Sequence, residues 1–213
     1  MNSGFRWLRH VLTGFAVAPL LMAGCSVLPE AETLQVYSLP QVPVTETPAI
    51  PAPSGQEWSL KVQTPYSNQI LNSNRIVVRP DHRELSVYKG ARWSDPAPVM
   101  LRDRLVDALR TRLPATVFGN GSVSVSTDLE LGGDLNSFQV DYQTGAPMVH
   151  IQLDAFLVKT DSSQVVASRR FSVQEAVNGK EVPEVVSAFG RAADTLSDEL
   201  AAWVRQHGPD TNQ

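Results

Sequence analysis

Cysteine is almost absent from this chain: Cys25 is the single thiol in 213 residues. That excludes an internal disulfide framework and any zinc site built from two or more thiolates. Basic charge is scarce as well, with 18 Lys and Arg against 22 Asp and Glu and a formal net charge of −4. Holding a phosphate backbone takes a broad basic surface, so nucleic acid is not an expected partner. Nucleotide and nucleophile motifs are missing too, with no Gly-x-x-x-x-Gly-Lys loop and no Gly-x-Ser-x-Gly elbow. What is plentiful is apolar material, 42% of the chain, enough for one substantial core.

The position of the thiol accounts for its solitude. Arg6 and Arg9 form a positive segment, Val11 to Met22 is an uncharged apolar run, and the small residues Ala23 and Gly24 stand directly before Cys25. This is the three-part layout of an export signal, and the run is too short for a comfortable membrane span. Met22-Ala23-Gly24-Cys25 resembles the bacterial lipobox, although Met22 stands where Leu is commoner. The resemblance implies a diacylglycerol on the Cys25 thiol, cleavage just before it, and an acyl group on the new N-terminus. Residues 1–24 are therefore expected to be removed and residues 25–33 to form a lipid-anchored tether. Each buried CH₂ contributes about 0.8 kcal/mol, so several acyl chains anchor stably where one is marginal. An Asp after the cysteine would resemble an inner-membrane retention signal. This chain has Ser26, which favours the periplasmic face of the outer membrane. Loss of residues 1–24 removes two arginines and no acid, moving the formal charge from −4 to −6. Such a balance suits a soluble body held at a membrane better than one adhering to anionic lipid by charge alone.

The mature chain reads as one domain, residues 34–206, followed by a polar tail, 207–213. Leu34 to Leu39 alternates as a short strand, and five prolines between Pro40 and Pro53 mark residues 40–55 as an extended loop. Trp58, Leu60 and Val62 share one strand face, and Arg75–Arg79 and Glu84–Tyr88 form a hairpin around Pro80-Asp81-His82. The period then changes. Leu101, Leu105, Leu109 and Leu113 recur at i+4 on a helix, with Ser94 or Asp95 expected as its N-cap and a proline in its first turn.

Beyond this helix, apolar residues alternate at Leu129, Leu131 and Leu135 and then at Phe138, Val140 and Tyr142. A period of two cannot change parity without an extra residue, so a bulge is expected near Leu135 to Ser137. Two more strands carry Val149 to Leu157 and Val165, Ala167, Phe171 and Val173, which makes an antiparallel meander. A second helix closes the domain with a stripe from Val182 through Phe189 and Leu196 to Trp203. The expected fold is α+β, a two-layer sandwich of a mixed or mainly antiparallel sheet with two long amphipathic helices on one face.

Candidate chemistry is sparse. Of His10, His82, His150 and His207, none lies at metal-ligand spacing from another, and only His150, on a strand with Gln152 and Asp154, could join a site. A solvated strand face is the stronger reading of it. Asp134 and Asp141 lack a third catalytic partner. Trp93 precedes the first helix, where an aromatic residue usually packs as a staple or core edge; contact with a partner is the weaker alternative. Ser168-Arg169-Arg170 reads as an outward strand face. No metal, no cofactor beyond the lipid on Cys25, and no enzyme activity are expected.

Several short motifs follow one another along the chain: the lipobox at Cys25, YSLP at Tyr37 to Pro40, LKVQTP at Leu60 to Pro65, LNSNRIVVR at Leu71 to Arg79 and LSVYKGARWSDP at Leu85 to Pro96. In this order and spacing they resemble the ABC-type transport auxiliary lipoproteins, a family that includes the paraquat-inducible lipoprotein component. The resemblance implies an anchored periplasmic partner of an ABC transporter and a mammalian-cell-entry-domain protein, serving lipid or hydrophobic-solute movement between the two membranes. It carries over no catalytic residue, only the anchor role of Cys25. Two other functions stay open, a structural or regulatory lipoprotein of cell-wall synthesis and a lipid-binding carrier, and a homo-oligomer is not excluded.

Overall fold

The computed structural model describes residues 33–40, 58–119, 125–143 and 145–209. Cys25, Ser26, residues 1–24 and most of the proline-rich segment lie outside them. Five strands come first: β1 (Gln35–Tyr37), β2 (Ser59–Val62), β3 (Tyr66–Ser67), β4 (Arg75–Arg79) and β5 (Ser86–Trp93). They lead into α1 (Ala97–Arg112). Then follow β6 (Thr116–Gly119), β7 (Leu129–Asp141), β8 (Met148–Lys159), β9 (Gln164–Ala176) and α2 (Val182–His207). Among the described residues no helix is long and apolar enough to cross a membrane.

The strands form one nine-stranded mixed sheet, and the fold is α+β. Its spine is β7. One edge of β7 pairs along its whole length with β8, which pairs in turn with β9, both antiparallel. Its other edge takes three short strands in series, all parallel to it: β2 at Leu129 to Leu131, β3 at Asp134 and Leu135, and β4 at Gln139 to Asp141. β6 extends the sheet beyond β2, while β5 and then β1 extend it beyond β4. Five of these eight pairings are parallel and three antiparallel, so the sheet is mixed. A parallel pair needs a crossover, and α1 supplies one by carrying the chain from β5 back to β6 beside β2.

The expected change of parity occurs in β7. Leu135 pairs with Leu153 and Ser137 with Gln152, leaving Asn136 as the extra residue. Because of that bulge, Leu129, Leu131 and Leu135 on one side of it and Phe138 and Val140 on the other all reach the same buried face. α2 packs against β8 and β9, α1 packs against β6 and β2, and the two helices touch each other. Phe138 stacks on Phe189 of α2 with ring centroids 4.6 Å apart, and Trp93 meets both rings edge-on at 6.0 and 5.2 Å. Between the helices, Arg104 pairs with Asp194, Arg112 pairs with Asp198, and Arg205 donates to the Arg112 carbonyl.

Several local expectations are corrected. Neither Ser94 nor Asp95 caps α1: Pro96, expected in the first turn, holds the cap position without a side-chain bond, its carbonyl accepting from Val99 and Met100, and Pro98 is the proline in the first turn. Proline lacks an N–H, so part of the capping demand at this end is removed. β5 runs on to Trp93 instead of stopping at Tyr88, with Gly90 at φ +68° where the β4–β5 ladder is irregular. Val165 is exposed instead of sharing the buried face of Phe171 and Val173, because a register shift at Leu157 and Val158 intervenes. β3 and β6 were not expected. α2 extends through His207, whose Nδ1 lies 2.8 Å from the Trp203 carbonyl, one residue into the expected tail.

Candidate functional site

The face of the sheet turned away from the helices is polar and cross-linked from strand to strand. Alternation dictates this: the residues between the buried ones in β7, β8 and β9 must point the other way. Lys61 of β2 lies 3.4 Å from Glu130 of β7. Arg170 of β9 grips Asp154 of β8 with two 2.6 Å bonds, and Asn136 at the bulge donates to the same carboxylate at 3.0 Å. The Arg170 bonds hold the Asp154 carboxyl below its ordinary range. Phe156 lies on this face against Gly132, where a Cβ would fall 2.4 Å from its ring.

The densest polar cluster joins β4, β7, β8 and β9. Arg79 donates to both oxygens of Asp141, at 2.8 Å from Nε and 2.5 Å from Nη2, and Gln139 adds a 3.0 Å bond. A fork of this kind is the strongest common ion-pair geometry. His150 Nε2 lies 3.1 Å from Ser172 Oγ. Its Nδ1 is buried without a hydrogen-bond partner and stands 3.5 Å from Asp141 Oδ2, within ion-pair range only. Burial pushes the His150 pKa below its ordinary 6.5, with Arg79 acting in the same direction and Asp141 opposing. The imidazole is therefore neutral at pH 7. Beside this cluster, between β4 and the bulge, a cleft of about 300 Å³ is lined by Arg79, His82, Arg83, Asn136 and Gln139, with Leu71 and Leu85 at its apolar side.

The candidate residues are placed as follows. His150 and Asp154 are on the polar face as expected, but each is tied into a separate cross-strand pair. Asp134 and Asp141 lie on one strand, seven residues apart, which at about 3.3 Å per residue separates them by ~20 Å. They do not form a working pair of carboxylates. Trp93 has no exposed surface, so contact with a partner is ruled out and its role is in the core. Within the Ser168 to Arg170 stretch, Arg169 covers the Phe171 ring at 4.8 Å and Arg170 is committed to Asp154. Among the described residues no group of three His, Cys, Asp or Glu could hold a metal ion. Cys25 lies outside the described residues. The Arg79–Asp141 fork escaped sequence reasoning, since its partners lie 62 residues apart.

The fold is a mixed sheet with two helices, its polar face braced by ion pairs between β4 and β7 and between β8 and β9. The family model for the ABC-type transport auxiliary lipoprotein component matches residues 37–201, and the chain belongs to that family. A crystal structure of the protein XCC0632 from Xanthomonas campestris is 34% identical, covering 82% of this chain and 96% of its own, with a TM-score of 0.71. A second crystal structure, of an uncharacterized protein, shares the fold at 20% identity and a TM-score of 0.64, covering 81% of this chain and 99% of its own. No curated protein matches. The family makes the chain a lipoprotein component associated with ABC-type transport and places it at a membrane of the cell envelope.

Proposed function

We propose that this protein is a non-enzymatic docking component, held by acylated Cys25 at the periplasmic face of the outer membrane. There it receives a mammalian-cell-entry-domain protein and its ABC transporter for the movement of lipids or hydrophobic solutes. The observation that carries this reading is the family match over residues 37–201, lying directly downstream of the lipobox at Met22 to Cys25. Energy would come from the partner ATPase, since no nucleotide loop is present in the chain. Anchoring confines the domain and raises its effective concentration, which lets individually weak contacts to the transport machinery suffice. The interior favours docking over carriage of lipid: Trp93, Phe138 and Phe189 fill the space between sheet and α2.

The test is crosslinking and pull-down of the acylated protein from its own envelope, with mass spectrometry of partners and co-purified lipid. The expected result is recovery of a mammalian-cell-entry protein together with its ABC transporter. Recovery of wall-synthesis enzymes, or of phospholipid with no protein, overturns the proposal.

A further inference from the structure

The β4–β5 hairpin concentrates positive charge in an acidic protein. Residues 75–93 carry five Lys and Arg against two Asp and Glu, whereas the chain beyond residue 24 stands at −6. Within the hairpin Arg75 pairs directly with Arg92 across β4 and β5, so the two side chains share a face, and both are exposed. Like charges directly opposite each other destabilise a sheet. Among the described residues neither guanidinium has a carboxylate partner, in contrast to Arg79, Arg104, Arg112, Arg170 and Arg191. The row continues onto β1, where Val36 is the register partner of Arg92 and is 51% exposed, and Leu34, two residues earlier, is 49% exposed. Tyr37, of opposite parity, pairs with buried Trp93 and packs against the core.

The end of the sheet therefore presents two apolar side chains beside two unpaired cations, a pairing suited to a bilayer interface. Its occupant is indicated by the chain that precedes it. Leu34 lies only nine positions after Cys25, and nine residue steps span at most about 30 Å. Given the acylated Cys25 proposed above, on which this inference rests, β1 and its neighbours stay within that distance of a phospholipid surface. We propose that Leu34, Val36, Arg75 and Arg92 form a membrane-facing patch that seats on anionic phospholipid headgroups and orients the anchored domain. The acyl chains hold the protein; the patch selects which side faces the bilayer. The patch lies on the side of β1 and β5 opposite the core residues Tyr37 and Trp93, so turning it down leaves α2 free for protein partners.

The test uses the full acylated protein in phosphatidylcholine vesicles with or without phosphatidylglycerol. Acylation consumes the Cys25 thiol, so a single introduced cysteine takes a fluorophore uniquely, at Val36→Cys or, as a control on the exposed side of α2, at Glu199→Cys. Quenching by a headgroup-labelled lipid should be strong at position 36, weak at position 199, and dependent on phosphatidylglycerol. Each cation near an anionic surface is worth about fivefold, so Arg75→Gln with Arg92→Gln should shift the orientation equilibrium by ~25-fold and level the two positions. That double variant also relieves the like-charge contact, so its melting temperature should be equal or higher, which separates lost orientation from lost folding. Equal quenching at both positions in the parent, or quenching at 36 that survives the double variant, overturns the proposal. So does shielding of position 36 in detergent alone, which would assign the face to a second copy of the chain. Intact mass keeps the two readings apart: an unmodified Cys25 defeats the anchor, whereas acylated protein with indistinct labels defeats the patch.

Discussion

Single residues set the pH response of the domain. His150 is held neutral by burial, its folded pKa below the ordinary 6.5, so the unfolded chain binds a proton more readily than the folded one as pH falls through that value. Stability contributed by neutral His150 is thus present above 6.5 and is lost as pH drops from there toward the folded pKa. Thermal melts between pH 7.5 and about 5 should show a decline that His150→Gln flattens. An unchanged slope in that variant would remove His150 as its cause. Carboxylates such as Asp154, also held below its ordinary 3.8, act only at lower pH and do not enter this window. Sequence reasoning placed His150 on a solvent-facing strand side, which is correct as to face. Asp141 stands beside it across the β7–β8 hairpin, but Arg79 arrives only through the pairing of β4 with β7, which no local pattern signals.

At the scale of elements, the bulge at Asn136 decides which way half of β7 points. Deleting Asn136 restores unbroken alternation, with Leu135 inward, Ser137 outward and Phe138 inward, so the domain should still fold with a loss of about 1–2 kcal/mol from the missing bond to Asp154. Deleting Leu131 instead reverses the parity of neighbouring residues and turns a buried set toward solvent, which should abolish cooperative unfolding. Circular dichroism melts of the two deletions compare them directly, and equal damage would contradict the assignment. This bulge was legible because a break in period cannot be hidden, and both helices were legible because their apolar stripes run for several turns. The two-residue β3 and four-residue β6 were not, since so few positions hold no period. Parallel register was equally hidden, being set by crossovers and not by adjacent turns. Arg92 lay beyond the expected strand Glu84–Tyr88, so only the longer β5 and its register put it opposite Arg75.

For the whole molecule, the division of labour between tether and body predicts that Cys25→Ser changes location and not fold. Exported behind a cleavable soluble signal, that variant should appear in the soluble periplasmic fraction with an unchanged melting temperature and without transport support. Retention at the membrane would mean that the folded body holds itself there. The order of the strands has a further consequence, for the route by which the chain reaches its native state. β2 and β4 complete their pairing only with β7, as the contacts of Ser59 with Asp128, 69 residues on, and of Arg79 with Asp141, 62 residues on, record. Closing loops of that length precedes any reward from pairing, and topologies dominated by such distant contacts fold slowly. A chain emerging N-terminus first thus exposes its early strands, with open backbone edges, until the spine arrives. In that interval it is most vulnerable to proteolysis and aggregation, and a chaperone would be of most use to it.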